Sequence, residues 1–165
     1  MDTPIPTPHL SQADSTLGDA YLRFQLEQQT PAILSMEYAQ EVLIVPVRRI
    51  TPMPNMPECV LGLLNWRNQV LWAIDLALML KLQPLMTTAQ QYHMVIIRVG
   101  QVPLGLVVQE VKGVTRFTTD SIQSPIEVVT SGLIPYLYGC ILQKQEILLV
   151  LNAEAIIHSP ILCTA

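Results

Sequence analysis

Residues 62–76 read GLLNWRNQVLWAIDL, and this stretch decides the fold. Two apolar runs, Val60–Trp66 and Val70–Ile74, flank the polar trio Arg67-Asn68-Gln69. Short apolar runs around a turn cluster are strands joined as a tight hairpin. Asn68 is the expected left-handed residue of that turn, because Asn tolerates positive φ better than other non-glycine residues. Asp75 ends the hairpin. Its carboxylate can accept from free N–H groups of the following turn, so it is expected to cap a short apolar helix, DLALMLKL.

Upstream, YLRFQLE places Leu22, Phe24 and Leu26 on one side and Tyr21, Arg23 and Gln25 on the other, the pattern of a half-buried strand. Ala32–Met36 and Gln40–Val47 read as further short strands. RRITPMPNMPECV follows; Pro52, Pro54 and Pro57 lack N–H donors, so this is a crossing loop, with one helical turn expected at Pro57–Cys59. Downstream, Leu82–Gln91 is a polar linker. YHMVIIRV and VPLGLVVQEV then form a second hairpin, with Gly100 supplying the positive φ of a type II′ turn at Gly100-Gln101. Val114–Phe117 continues the sheet, Thr118–Ser131 is turn-rich, and Leu137–Leu142 with Ile147–Leu151 make a last strand pair. Asn152 is placed to cap AEAIIH.

Met1–Gly18, with three prolines and no apolar period, is expected to be a disordered leader, and 161–165 a tail. The nine or ten strands fall into two groups on either side of the linker. Short connections imply antiparallel pairing and an all-β chain of two small barrels or sandwiches.

Half the residues are hydrophobic and only 13% are charged, against roughly 25% in an average soluble protein. Such a chain has either a large, dry core or apolar surface left for partners. The apolar stretch at 71–85 is broken by Asp75, Lys81 and Pro84, and the N-terminus lacks the basic and apolar regions of a signal peptide. A cytoplasmic protein with no membrane insertion is expected. Net charge is −4, and of nine Lys and Arg residues only Arg48 and Arg49 are adjacent. No basic footprint for nucleic acid exists.

No phosphate-loop, dinucleotide, nucleophile-elbow or zinc-protease spacing occurs. Cys59, Cys140 and Cys163 are odd in number and far apart, and His9, His93 and His158 complete no zinc-ligand spacing. No cofactor or metal is expected, and the cysteines read as small side chains in a reducing compartment. One enzymatic alternative stands: a thiol-dependent hydrolase with Cys59 as nucleophile beside His93. It needs an electropositive pocket that nothing in the sequence supplies. More informative are charges stranded in apolar strands: Glu41 in YAQEVLIV, and Arg67 at the hairpin tip. Arg67 reads either as a solvated turn residue or as the partner of Glu41 in an ion pair resting on apolar surface. A guanidinium suits the second role, being weakly hydrated and able to bind a carboxylate through two donors.

These stretches together resemble the CheW family. The run from Gly62 through Asn65, Arg67 and Asn68 to Asp75-Leu76 resembles the family's hairpin. Gln40-Glu41-Val42 resembles its strand ending in Glu and an aliphatic residue. Ile50-Thr51-Pro52-Met53-Pro54 with Pro57 resembles the loop before the hairpin. Pro103–Val111, with Gly105, resembles its Gly-Leu-Val-Val-Asp-x-Val strand. Leu137-Tyr138-Gly139 through Ile147–Asn152 resembles its closing strands. The likeness runs in order over about residues 19–158. Three positions depart from it: Asn68 stands for a glycine, Trp72 for a proline and Gln109 for an aspartate, which suggests a divergent paralogue.

The resemblance implies an all-β fold of two intertwined five-stranded SH3-like barrels with short helices, over residues 19–160. It implies a noncatalytic cytoplasmic adaptor coupling the cytoplasmic tip of a methyl-accepting receptor to the regulatory domain of a CheA-type histidine kinase. The pathway would be chemotaxis, phototaxis or type IV pilus motility. The receptor groove it implies involves Glu41, Val42, Asn65, Arg67 and Val111, with the kinase on a separate surface. Gly62, Asn68, Asp75 and Gly105 are then turn or structural positions. A detached kinase regulatory domain, or an inhibitory coupling protein, would share this fold and differ only in wiring.

Overall fold

The computed structural model describes residues 18–82, 90–124, 132–143 and 145–163. Most of the expected leader, the middle of the linker, residues 125–131 and the last two residues lie outside that range.

Ten strands form among the described residues: β1 (Asp19–Glu27), β2 (Thr30–Ser35), β3 (Ala39–Pro46), β4 (Val60–Trp66), β5 (Gln69–Asp75), β6 (Gln91–Val99), β7 (Val102–Val108), β8 (Glu110–Phe117), β9 (Leu137–Gln143) and β10 (Glu146–Leu151). Three short helices follow the hairpins or end the chain: α1 (Leu76–Met79), α2 (Ala153–Ile157) and α3 (Pro160–Cys163). The strands make two five-stranded sheets, ordered β8-β1-β2-β10-β9 and β3-β6-β7-β5-β4.

The sheets are not the two halves of the chain. β1 and β2 join β8, β9 and β10, whereas β6 and β7 join β3, β4 and β5. The barrels are therefore intertwined rather than one to each side of the linker. Replacing each of β1–β5 by its counterpart in β6–β10, and the reverse, converts the first order into the second. The register obeys the same rule: Val150 pairs with Ile33 in one sheet as Ala73 pairs with Gly105 in the other. These two pairings, β10 with β2 and β5 with β7, are parallel, where the short connections implied antiparallel neighbours only. Strands drawn from different halves are free of that restriction, because no short turn joins them. The chain passes from one sheet to the other twice, between β2 and β3 and again at Gln109. VPLGLVVQEV is not one strand: β7 ends at Val108 in one sheet and β8 begins at Glu110 in the other, while the Gln109 N–H donates to Gln25 C=O at 2.9 Å.

Strand alternation sorts the core into three clusters. Leu22, Phe24, Leu26 and Leu34 meet Val95, Ile97, Leu106 and Val108 of the other sheet, sealed by Leu76 and Met79 of α1 and Ile156 of α2. The opposite faces fill the inside of each curled sheet. Val45, Leu64, Leu71, Met94, Ile96 and Val107 fill one; Tyr21, Ile33, Ile141, Leu148 and Val150 fill the other. β6 and β7 are buried on both faces, which is why Met94–Ile97 and Leu104–Val108 read as unbroken apolar runs. Each large side chain so buried contributes about 1.5–3 kcal/mol.

Each sheet curls until its edges are laced by one bridge. Thr51, beyond β3, pairs with Leu63 of β4; Gln123, beyond β8, pairs with Cys140 of β9. A glycine sits at each lacing. A Cβ on Gly62 would lie 2.1 Å from the Thr51 carbonyl oxygen, and one on Gly139 2.3 Å from that of Gln123. Gly105, expected as a turn or structural position, is a packing position. It is buried within β7, where a Cβ would come within 2.8 Å of the Met94 sulfur and 3.1 Å of Leu71.

Local expectations hold with adjustments. Asp75 caps α1, accepting from Leu78 N–H at 3.2 Å, and Asn152 caps α2, accepting from Ala155 N–H at 3.1 Å. α1 is shorter than DLALMLKL; the chain turns left-handed at Lys81, φ 68°. Pro57–Cys59 is a turn and not helical, with Val60 N–H donating to Pro57 C=O at 2.9 Å. Gly100 takes φ 61° in the β6–β7 turn, as its place required.

Candidate partner-binding site

The β4–β5 hairpin has a two-residue loop, since Trp66 pairs directly with Gln69. Both loop residues are left-handed, Arg67 at φ 50° and Asn68 at φ 64°. Positive φ at both central positions is the type I′ turn, whose twist matches that of the flanking strands. Asn68 was expected there. Arg67 shares the conformation because the two-residue loop demands it at both positions, which residue types alone did not signal.

What holds its side chain is Glu41. β3 and β4 are opposite edges of their sheet, and the curl brings them together. Glu41 Oε1 accepts from Arg67 Nε at 3.0 Å and from Trp66 Nε1 at 2.9 Å. The Arg67 guanidinium also stands 5.5 Å from the Trp66 ring centroid, within cation–π range. The two donors, Arg67 first and Trp66 second, hold the Glu41 carboxyl below its ordinary value, against a smaller opposing effect of desolvation. Glu41, Trp66 and Arg67 thus form a clasp across the seam. Its outward component is the arginine, whose side chain is 68% exposed against 29% for Glu41.

Trp66 is the member that sequence reasoning missed. Its signal was present: an indole N–H on a strand that packs inward needs an acceptor. Trp66 does pack against the inner cluster of its sheet.

The other expected groove residues divide. Leu43 and Val45 face the inside of the curled sheet, so by alternation Glu41 shares their side and Val42 faces out, where it is 43% exposed beside Ile44 at 59%. Asn65 is likewise exposed on the outer side of β4, next to the clasp. Val70, across from Asn65, is 61% exposed. Val111 lies on the other sheet, paired with Phe24 and half-buried against the central cluster, and is no part of the clasp. A groove including it would run from one barrel to the other.

The thiol alternative finds no support. Cys59 is buried, and burial pushes its thiol pKa up, opposite to what a nucleophile needs. Its carbonyl accepts from Asp75 N–H at the end of β5, whereas His93 lies on β6, with β7 between. Among the described residues no three His, Cys, Asp or Glu side chains gather as metal ligands. None of the described helices is long and apolar enough to cross a membrane.

A family model described as CheW-like domain matches residues 20–160. A curated relative, the "Chemotaxis protein CheW" of Treponema pallidum (strain Nichols), is 26% identical over 160 residues, covering 93% of this chain and 92% of its own. Among solved structures, the scaffolding protein TtCheW from Thermoanaerobacter tengcongensis matches with a TM-score of 0.70 at 21% identity. That match covers 82% of this chain and 89% of the other, and it is a likeness of fold.

Proposed function

The chain belongs to the CheW-like domain family, and from that premise we propose that it is a noncatalytic cytoplasmic adaptor. It couples the cytoplasmic tip of a methyl-accepting receptor to the regulatory domain of a CheA-type histidine kinase, in chemotaxis, phototaxis or pilus motility. The observation that carries this reading is the clasp. The Arg67 guanidinium is fixed by Glu41 and faces Trp66, yet its side chain stays 68% exposed, and Val42, Ile44 and Val70 are exposed on the outer faces of the same sheet. Arginine among apolar neighbours is a favoured anchor of protein interfaces, because its planar head is pre-organised and weakly hydrated.

The test is titration of the full chain against a receptor-tip fragment and, separately, the kinase regulatory domain. Arg67→Ala should weaken the receptor complex by about thirtyfold or more, the scale of losing an interface anchor. Its melting midpoint should hardly move, because exposed ion pairs add little to stability. Glu41→Ala should act on the same complex, and the double variant should be less than additive. Kinase binding should suffer less. Equal loss of both partners with a lowered melting midpoint would make the clasp a structural staple only.

A further inference from the structure

A second recess, sharing no residue with the clasp, opens where the start of β1, the β2–β3 turn and the start of β9 meet. It has a volume of about 370 Å³, and its walls include Asp19, Tyr21, Met36, Glu37, Tyr38 and Tyr138. The frame is rigid. Ser35 C=O accepts from Tyr38 N–H at 3.1 Å, the Ser35 hydroxyl oxygen accepts from Glu37 N–H at 3.2 Å, and Met36 N–H donates to Ala20 C=O at 3.1 Å. Tyr138 is the extra residue of a β-bulge, since Val150 pairs with Gly139 and Leu151 with Leu137. Bulges re-aim side chains, and this one leaves Tyr138 52% exposed.

The charged residues that line the recess, Asp19 and Glu37, are both acidic. Burial first, then Asp19 and Glu37, push the Tyr21 pKa up; burial, Tyr138, Glu154 and Glu37 do the same to Tyr38. No lysine or arginine lines it. Among the described residues, Asp19, Glu37 and Glu154 take part in no ion pair, although Arg23, Arg67 and Lys112 each have one. Tyrosine rings with unpaired carboxylates at the rim suit an organic cation with a flat face, which can stack on a ring and be gripped by a carboxylate at its edge. A guanidinium meets both demands and sheds water more readily than an ammonium. Residues 1–17 contain no lysine or arginine with which the chain's own N-terminal segment could fill the recess. Tyr and Met, the apolar lining types, are those enriched where proteins meet.

We propose that this recess receives an arginine side chain presented by a partner protein. The probe is a capped Gly-Arg-Gly peptide, titrated into the full chain while the tyrosine ring signals are followed by NMR. The controls are the same peptide with citrulline or lysine, and tetramethylammonium. The arginine peptide should shift the Tyr38 and Tyr138 signals saturably, the lysine peptide more weakly, and the citrulline peptide not at all. Tyr138→Leu and Glu37→Gln, both at exposed positions, should each weaken binding about fivefold, the scale of one exposed cation–π or charge contact. Equal response to citrulline, tighter binding of tetramethylammonium, or no response of these rings would overturn the proposal. So would ring shifts produced by raising protein concentration alone, which would assign the recess to a second copy. Arginine-peptide binding that appears only when residues 1–17 are removed would assign it to that segment, and would likewise overturn the proposal.

Discussion

Glu41 shows what a single side chain reveals and conceals. Its pairing with Arg67 was legible because two opposite charges were stranded in apolar strands, where each needs a partner. The geometry of the pair was not. Alternation from Gln40 onward could not say which of Glu41 and Val42 faces inward, because the register shifts between Ala39 and Glu41 in the ladder with β6. The clasp has a pH signature. The Glu41 pKa is lowered from its ordinary 4.5 by the Arg67 and Trp66 donors. A depressed carboxylate contributes stability that is present above its unfolded pKa and lost as pH falls through the folded one. The Trp66 indole N–H resonance should therefore titrate with a midpoint below the ordinary carboxylate range. Arg67→Ala should raise that midpoint without restoring it fully, since the Trp66 donor remains. An unchanged midpoint would show that the ion pair does not form in solution.

At the scale of strands and turns, most of the architecture was legible because its signals are local. Period-two alternation marks β1, paired apolar runs mark the β4–β5 hairpin, and Asp75 and Asn152 announce their helices. Glycine roles were harder to read, because what crowds a glycine lies on another strand. Gly105 read as a turn or structural position in a strand, and only the structure shows that what demands it is the Met94 side chain. Gly62 and Gly139 looked unrelated and occupy matching lacings of the two barrels. Each lets a carbonyl approach that a side chain would block. Gly62→Ala should cost about 2 kcal/mol or more, because backbone must move at the seam and the residue is also held at φ 147°. Gly139→Ala should cost a similar amount through crowding alone. Gly100→Ala is the control: nothing lies within 4 Å of the new Cβ, and only its φ of 61° resists, at about 1 kcal/mol. Denaturant melts of the three variants check this ranking. A Gly62→Ala no worse than Gly100→Ala would mean that the lacing is loose.

For the whole molecule, the sequence supplied the strands but not the pairing between the two halves of the chain. Periodicity tells a strand which face to bury, not which neighbour to take, and here the neighbours come from opposite halves. Neither half can complete a barrel alone, and the central cluster draws on both sheets. Unfolding should therefore be one cooperative transition. Both tryptophans, Trp66 and Trp72, lie on the β3-β6-β7-β5-β4 sheet, so their fluorescence should lose structure together with the far-ultraviolet circular dichroism of all ten strands. A fluorescence midpoint well apart from the dichroism midpoint would show that the barrels separate. The exchange of hairpins also bears on ancestry. A half-length protein with strands like β1–β5 would build this whole arrangement by trading hairpins with a second copy of itself, and a tandem duplication would then fuse the pair. The covalent link between the halves keeps each at an effective concentration of about millimolar order around the other. Severed there, the two halves would form a heterodimer, whose melting temperature would rise with protein concentration.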